Sequence, residues 1–599
     1  MLIKAYGSAV CGIEAITVTI EADVSAGINF YLVGLPDSAV RESQQRISTA
    51  VQAVGLRIPC KRIVINMAPA DIRKEGSAYD LPLALAVLAA SEQIQAPMLD
   101  TSVCMGELAL DGTVRPVKGA LSMALHARDC GFKACIFPLE SAREASVVEG
   151  LDVYGVTHLA QVLDLVEGFG GVEALKPVAA QNSGLPEAVH PHPDFSQVRG
   201  QVQARRALEV AAAGGHNVLM SGPPGAGKTF MARCLPGILP SLTPEEAVET
   251  TRIWSVAGMP RGEAGLMSIR PFRAPHHTAS VMSLTGGGSS AMPGEISLAH
   301  NGVLYLDELP EFSGRALEVL RQPLEDGTIQ LSRVRYKVSY PARFMLVASM
   351  NPCPCGFRGH PTKECVCTEY QVQRYRSRIS GPLLDRIDIQ LQVKPVEIDD
   401  LIPKQAEQSP IQVGQSPIQM VTSPMQVRQT PIQAGQSPIQ AVTSPMQVGQ
   451  TPIQAGQSPI QAVTSAKQVR SSAGQAHSSV GQAHSSAGQS HSYHARMSAA
   501  SAEPSAVIRY RVEKAREIQR NRFCELEGVH TNAHMKLDEL NRYCELNGSC
   551  RMFLKQAALR MQFSARAHHR ILRLARTIAD LDGSVVIEIH HLAEAIQYR

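Results

Sequence analysis

Near the start of the chain, Ile16, Val18 and Ile20 alternate with Thr17, Thr19 and Glu21, the period-two pattern of a strand with one buried face. Short apolar runs at Ile63 to Asn66 and Ala134 to Phe137 read as further strands, with helical stretches between them up to about Leu175. VAAQNSGLPEAVHPHPDF then reads as a linker, and a fresh helix opens near Val202. Asn217 to Met220, Val303 to Leu306 and Phe344 to Ser349 are apolar runs of the kind that a doubly covered sheet buries. At the far end Ile571, Leu574, Ala575, Ile578 and Leu581 recur at helical spacing between a capping Ser564 and a terminating Gly583. The pattern predicts an α/β core between a mixed α+β N-terminal part and an all-helical C-terminal part.

Ahead of the C-terminal helices the periodicity disappears. From Lys404 to Pro504 only seven of 101 residues are charged, which pulls the whole chain down to 19 % charged against the ~25 % usual for globular proteins. The unit QSPIQVGQSPIQMVTSPMQVR begins at Gln408 and recurs with a period of 21 to Arg470, and SSAGQAH-like heptads follow from Ser471 to His491. Isolated Ile, Val and Met among Gln, Ser, Pro and Gly cannot bury a core between neighbours, so the segment reads as disordered linker. A Pro-rich or His-rich recognition tract is the alternative, although His477, His484 and His491 are spaced too sparsely for a metal site. The expected units are therefore residues 1–180, 190–400, 404–504 and 505–599.

Charge and cysteine content narrow the setting. A net charge of +3 is too weak to announce a nucleic-acid partner, so any basic surface has to be local. The longest apolar run, LPLALAVLAA from Leu81 to Ala90, is far short of the roughly 20 residues that span a bilayer, and no membrane partner is expected. Thirteen cysteines without a secretion signal point to a reducing, cytoplasmic setting.

The chemistry begins after the Asn217 to Met220 run, where GPPGAGKT (Gly222, Pro223, Pro224, Gly225, Ala226, Gly227, Lys228 and Thr229) leads into a helical stretch. This is a phosphate-binding loop in its strand, loop, helix context. Its glycines let N–H groups approach phosphate, Lys228 supplies a cation to the β/γ oxygens of ATP, and Thr229 can ligate Mg²⁺. The Val303 to Leu306 run ends in Asp307, placed to hold Mg²⁺, and Glu308, placed to polarise water; an isolated acidic pair there would equally serve a helix N-terminus. Asn351 follows the third run and can orient the same water. Together these residues describe nucleotide hydrolysis.

Cys353, Cys355, Cys365 and Cys367 form two C-x-C pairs nine residues apart. Four thiolates can close a structural Zn²⁺ site, with free thiols the alternative. From Gly327 to Lys363 no residue is acidic, and Arg333, Arg335 and Lys337 alternate with Val334, Tyr336 and Val338. A strand would put these cations on one face, either tracking DNA phosphates or keeping an edge strand soluble.

Several strings go further. RAPHHTAS at Arg273, GGGSSAMPGEISLAHNGVLYLDELPEF at Gly286, NPCPCG at Asn351, QVQRYRSRISGPLLDRIDI at Gln371, the N-terminal VGLPDSAVRES, KRIVINMAPADIRKEGSAYDLPLALA and GELALDGTVRPVKGA, and the ending ARTIADLDGS with HLAEAIQYR resemble the bacterial ComM/YifB family. That family is a magnesium-chelatase-like branch of the AAA+ ATPases, and the resemblance covers nearly everything except the repeats. It implies an AAA+ core, a Lon-protease-like N-terminal domain and a helical lid. The implied activity is that of a homo-hexameric ATP-driven DNA helicase promoting branch migration on single-stranded or branched DNA, in natural transformation and homologous recombination. Arg386 in LLDRID resembles a finger acting in trans, and Arg566 resembles a lid arginine that senses the γ-phosphate. A Lon-like peptidase needs a serine activated by lysine. Ser77 lies near the expected serine, but Leu121 stands where the lysine would be and Lys118 is displaced, so a structural or assembly domain is expected. A chelatase-like chaperone acting on a protein partner and a non-motor scaffold are the competing readings.

Overall fold

A computed structural model describes residues 2–175, 192–259, 265–288, 291–332, 337–395, 503–526 and 528–599. The repeats, most of the linker before Val202, and Arg333 and Arg335 lie outside the described residues. The described segments on either side of the repeats gather into one compact unit.

The N-terminal region is built on an eight-stranded sheet. Its strands are β1 (Ile3–Cys11), β2 (Glu14–Ser25), β3 (Phe30–Val33), β4 (Arg62–Ala68), β5 (Ser102–Cys104), β8 (Ala134–Pro138), β9 (Asp152–Val156) and β10 (Ala174–Leu175), with β6 (Glu107–Leu108) and β7 (Val114–Arg115) forming a separate small pair. The order is β10-β9-β8-β5-β1-β2-β4-β3, antiparallel at β1/β2 and β2/β4 and parallel from β1 through β5 and β8 to β9. The alternation seen in the sequence is the buried face of β2, where Val18 and Ile20 are fully enclosed. The apolar run at Leu81 is a helix, Asp80–Ala90, buried on every side. Its eleven residues rise only ~16 Å at ~1.5 Å each, and no helix among the described residues is long and apolar enough to cross a membrane.

The second sheet is parallel throughout. It comprises β11 (Val218–Ser221), β12 (Phe272–Arg273), β15 (Val303–Leu306), β18 (Met345–Met350) and β19 (Ile389–Gln392) in the order β12-β15-β18-β11-β19. β15 and β18 are buried at every position, as continuous apolar strands covered on both faces must be. Two antiparallel pairs flank the sheet: β13 (Gly286–Gly287) with β14 (Met292–Pro293), and the hairpin β16 (Thr328–Ser332) with β17 (Lys337–Pro341).

The C-terminal helices include Ser505–Phe523, Gly548–Met561, Ala565–Leu581 and Ile589–Gln597. Ser564 caps the third by accepting the Ala567 N–H, and Ile571, Leu574, Ala575 and Ile578 turn inward. This layer shares one apolar core with Val218, Met220 and Ile389 of the parallel sheet. Polar pins fix its register: Gln519 donates to the Ala213 carbonyl at 3.0 Å, Arg516 to the Ala212 carbonyl, and buried His216 bridges Asp388 (3.1 Å) and Thr577 (2.9 Å). The helices thus dock on the parallel sheet although the repeats precede them in sequence.

Candidate nucleotide site

β11 lies inside the parallel sheet, so the loop that leaves its carboxyl end opens into the crevice where such sheets bind ligands. Gly225 and Gly227 hold φ of +77° and +82°, and a Cβ on either would meet nothing within 4 Å. Glycine is needed there for backbone conformation, and the loop keeps an open side. Lys228 opens the helix Lys228–Cys234 and is nearly buried. Its Nζ donates to the carbonyls of Gly222 (2.6 Å) and Pro223 (3.0 Å) and to Asn351 Oδ1 (3.1 Å). Burial lowers its pKa, with Asp307 and Glu308 opposing that shift.

Asp307 ends β15 beside the loop. Thr229 donates to its Oδ2 at 2.9 Å, Ser349 donates to Oδ1, and the Glu308 N–H also reaches Oδ1 at 3.1 Å. Burial pushes this carboxyl up, but the hydrogen bonds from Ser349, Thr229 and the Glu308 N–H outweigh it and hold Asp307 below its ordinary value. Tyr305 adds a hydrogen bond to Thr229 Oγ1 at 3.1 Å. A hydroxyl and an ionised carboxylate side by side at a phosphate loop suit a hard cation that keeps several waters. The residues fit Mg²⁺, which Thr229 and Asp307 would hold and which would neutralise developing phosphate charge. Glu308, at φ +53°, is half exposed, and its Oε2 lies 3.4 Å from His277 Nδ1.

The two arginines sit elsewhere. β19 runs parallel to β11 with Val218 opposite Ile389, so Arg386, just before β19, lies at the amino end of the sheet. The phosphate loop leaves at the carboxyl end. Asn217 binds the Arg386 carbonyl at 2.9 Å, while the guanidinium pairs with Glu325 and donates to the Pro382 carbonyl at 2.7 Å. Arg566 pairs with Asp385 at 3.3 Å. Among the described residues neither arginine contacts the loop of its own chain: the start of Ala565–Leu581 is anchored beside Asp385, next to Arg386.

The four cysteines do converge. Their Sγ atoms all lie within 4.8 Å of one another, with Cys353 3.3 Å from Cys355 and Cys365 3.6 Å from each of these two. Zn–S bonds of ~2.3 Å imply tetrahedron edges of ~3.8 Å, so the set fits Zn²⁺ and is too open for disulfides; all thirteen cysteines are unpaired. The knuckle touches the nucleotide loop, because a Cβ on Gly356 would fall 2.8 Å from Pro224. A second cluster, Asp582, His590 and His591, behaves differently. His591 Nδ1 accepts the Glu588 N–H at 3.0 Å, which places the ring proton of a neutral imidazole on Nε2, 3.3 Å from Asp582. That ring offers hydrogen bonding and no free lone pair for a metal.

A hairpin of β16 and β17 precedes β18, with Ser332 opposite Lys337 and Lys337 exposed, while the expected face of Arg333, Arg335 and Lys337 falls largely outside the described residues. In the N-terminal region Ser77 hydrogen-bonds Glu107, Leu121 is fully buried, and the Lys118 stem lies against Gly258. Among the described residues no lysine contacts Ser77. Reading the sequence overlooked Tyr305, Ser349 and His277. Two of these carried a signal: Tyr305 shares a strand face with Asp307, and Ser349 is a hydroxyl in a wholly buried strand, where a polar group needs a partner.

Family models agree with this architecture: "Magnesium chelatase, subunit ChlI" matches residues 194–401, "Subunit ChlI of Mg-chelatase" residues 20–141, and "Magnesium chelatase, subunit ChlI C-terminal" residues 502–599. The chain is 37 % identical over 593 residues to the uncharacterized protein YifB of Escherichia coli, covering 99 % of this chain and 96 % of that one. It is 37 % identical over 601 residues to the competence protein ComM of Haemophilus influenzae, with the same coverage, and 45 % identical over 392 residues to the uncharacterized protein Rv2897c of Mycobacterium tuberculosis, covering 65 % of this chain and 76 % of that one. Full-length similarity and the three matched segments together show that the chain belongs to the ComM/YifB family of magnesium-chelatase-like proteins.

Proposed function

We propose that the protein is an ATP-driven DNA motor, a homo-hexameric helicase that promotes branch migration in natural transformation and homologous recombination. The observation that carries the hydrolytic part is the cluster in which Lys228 meets Asn351 and Thr229 meets Asp307. Lys228 and the loop N–H groups bind the phosphates, Asp307 and Thr229 hold Mg²⁺, Asn351 orients the attacking water, and Glu308 accepts its proton. Arg386 and Arg566, adjacent in one chain and away from its own loop, complete the pocket of the neighbouring subunit. A closed ring satisfies such head-to-tail sharing at every subunit. Lys337 of the hairpin contacts DNA phosphates together with Arg333 and Arg335, which precede it in sequence. The N-terminal region serves assembly as a Lon-like domain without peptidase chemistry, a Zn²⁺ ion closes the cysteine knuckle, and the unpaired cysteines support a cytoplasmic setting. The relation to a competence protein supports the DNA reading.

The test is the ATP hydrolysis rate of the full-length protein with and without single-stranded and branched DNA, beside Lys228→Ala. Stimulation by DNA that is lost in the variant supports the motor. Hydrolysis indifferent to every DNA favours the second reading, an ATPase chaperone remodelling a protein partner, to which the chelatase-like segments lend support.

A further inference from the structure

An arginine that completes a neighbour's pocket has to offer its guanidinium outward, and Arg386 does not. Its side chain is only 17 % exposed. Nη1 donates to the Pro382 carbonyl at 2.7 Å, Nη2 is paired with the Glu325 carboxylate, and Nε is buried with no partner among the described residues. A phosphate is gripped by the N–H groups of the guanidinium fork. In this conformation both prongs of the fork are engaged within the chain.

The backbone beneath is fixed. Asn217 Nδ2 donates to the Arg386 carbonyl at 2.9 Å, Asn217 Oδ1 accepts the Leu346 N–H at 2.8 Å, and the Asn217 carbonyl accepts the N–H groups of Asp388 and Ile389, each at 3.0 Å. One residue thus ties the main chain around Arg386 to β18 and to the start of β19, and the arginine side chain is the part left to move. Arg566 is held differently: it is 68 % exposed and meets Asp385 at 3.3 Å. Of the two arginines, Arg386 is the one folded in.

Glu325, in the short helix Pro323–Asp326, is the group that draws it in. The hydrogen bond and charge of Arg386, with Arg566 adding, hold the Glu325 carboxyl below its ordinary value. The carboxylate is exposed, and an exposed ion pair is weak and screened by salt. The unpartnered Nε makes the folded-in conformer less favourable still. A restraint of this kind delays a side chain without locking it. Charge-assisted contacts to phosphate in a pocket closed off from water are stronger, so the exchange runs outward once a neighbour presents its nucleotide.

We propose that Glu325 is a positioning residue that keeps Arg386 folded against its own chain until the nucleotide of the neighbouring subunit competes for the guanidinium. This rests on the role in trans given to Arg386 above and names what regulates it.

The experiment mixes two full-length variants and follows steady-state ATP hydrolysis, with a single-stranded oligonucleotide present throughout. Lys228→Ala chains can supply the arginine but lack the phosphate-binding lysine; Arg386→Ala chains have the lysine and lack the arginine. Activity is expected to return on mixing, because a whole pocket then forms between unlike neighbours. Glu325→Gln added to the Lys228→Ala chain is expected to raise the recovered kcat about two- to fivefold with KM for ATP unchanged. Added to the Arg386→Ala chain it has no arginine to release and should give no gain. Glu325→Asp, which keeps the charge on a shorter arm, should fall between Glu and Gln on the Lys228→Ala chain. A recovered rate that is unchanged or lower with Glu325→Gln on the Lys228→Ala chain overturns the restraint and leaves the role of Arg386 in trans intact. An equal gain from either chain assigns the effect to surface charge and overturns it as well. If mixing recovers nothing although wild type hydrolyses ATP, the reading of Arg386 fails and the restraint falls with it; if wild type turns over no ATP, the hydrolytic reading falls and takes both.

Discussion

The two sheets of this protein hold the same ingredients and combine them differently. In the parallel sheet the Thr229 hydroxyl donates to Asp307, and buried Lys228 sits close enough for both Asp307 and Glu308 to act on its charge. In the N-terminal region the Ser77 hydroxyl bonds Glu107, but the buried lysine there, Lys74, caps the Pro69 carbonyl, and Glu107 is answered by Arg115 at 3.2 Å. Burial lowers the pKa of both lysines. What separates the candidate nucleotide site from the N-terminal cluster is therefore whether hydroxyl, carboxylate and lysine share one pocket with an open side. Around Gly225 and Gly227 that side exists.

The comparison breaks most sharply if the two carboxylates prove interchangeable. Asp307→Asn is expected to cut ATP turnover at least about a hundredfold, whereas Glu107→Gln should leave it unchanged; a steady-state assay of both variants decides it. Next in size is the cysteine knuckle, which touches Pro224 on one side of the contrast only. Purified protein is expected to carry one Zn²⁺ per chain by elemental analysis. Cys353→Ser should lose that metal and lower the midpoint of thermal unfolding by several degrees, since metal binding is folding free energy. A metal-free wild type of unchanged stability would assign the four sulfurs as free thiols.

A smaller effect sharpens the seam between the regions. The helix Pro244–Ala257 meets the N-terminal region through Arg252, which donates to the Ile13 carbonyl at 2.7 Å, and through Ser255, which links the Gly119 N–H (2.9 Å) to Glu144 (2.7 Å). On the same helix burial pushes the Glu249 carboxyl up, but His300 and Arg343 outweigh it and bring it down to about 2 from an ordinary 4.5. Its folded pKa is depressed, so its contribution is fully present above pH ~4.5 and is lost as pH falls toward ~2. Glu249→Gln should cost about 1 kcal/mol at pH 7, since partial exposure screens the pair, and nothing near pH 2; urea midpoints at the two pH values measure it. The smallest effect is expected from deleting Gln408 to His491, which should change ATP turnover by less than about twofold because loop closure depends only logarithmically on length. A severe loss would make the repeats part of the machine.

Local chemistry was legible along the chain. GPPGAGKT needs only its own strand and helix to form a phosphate cradle, and a buried apolar run ending in Asp307 is a strand end wherever the strand lies. Ser564, a side chain accepting an N–H three residues on, marked its helix for the same reason. Tyr305 and Ser349 were missed because their importance lies across strands: each matters through a partner from another part of the chain. His277 was visible only as a letter in RAPHHTAS, since its distance to Glu308 depends on β12 lying beside β15.

The sequence by itself determined the strand, glycine-rich loop and helix of the candidate site, the acidic strand end, the polar Asn351 and the family to which they belong. Each of these rests on short-range geometry or on strings of adjacent residues. Tertiary structure decided that Arg386 and Arg566 lie together at the amino end of the sheet, that four sulfurs separated by up to fourteen positions meet, that Ser77 bonds Glu107 with no lysine in contact among the described residues, and that Glu308 lies beside His277. These are matters of strand order and register. A register is chosen by the burial of whole apolar faces, and that sum over many residues is not written at the positions whose chemistry it places.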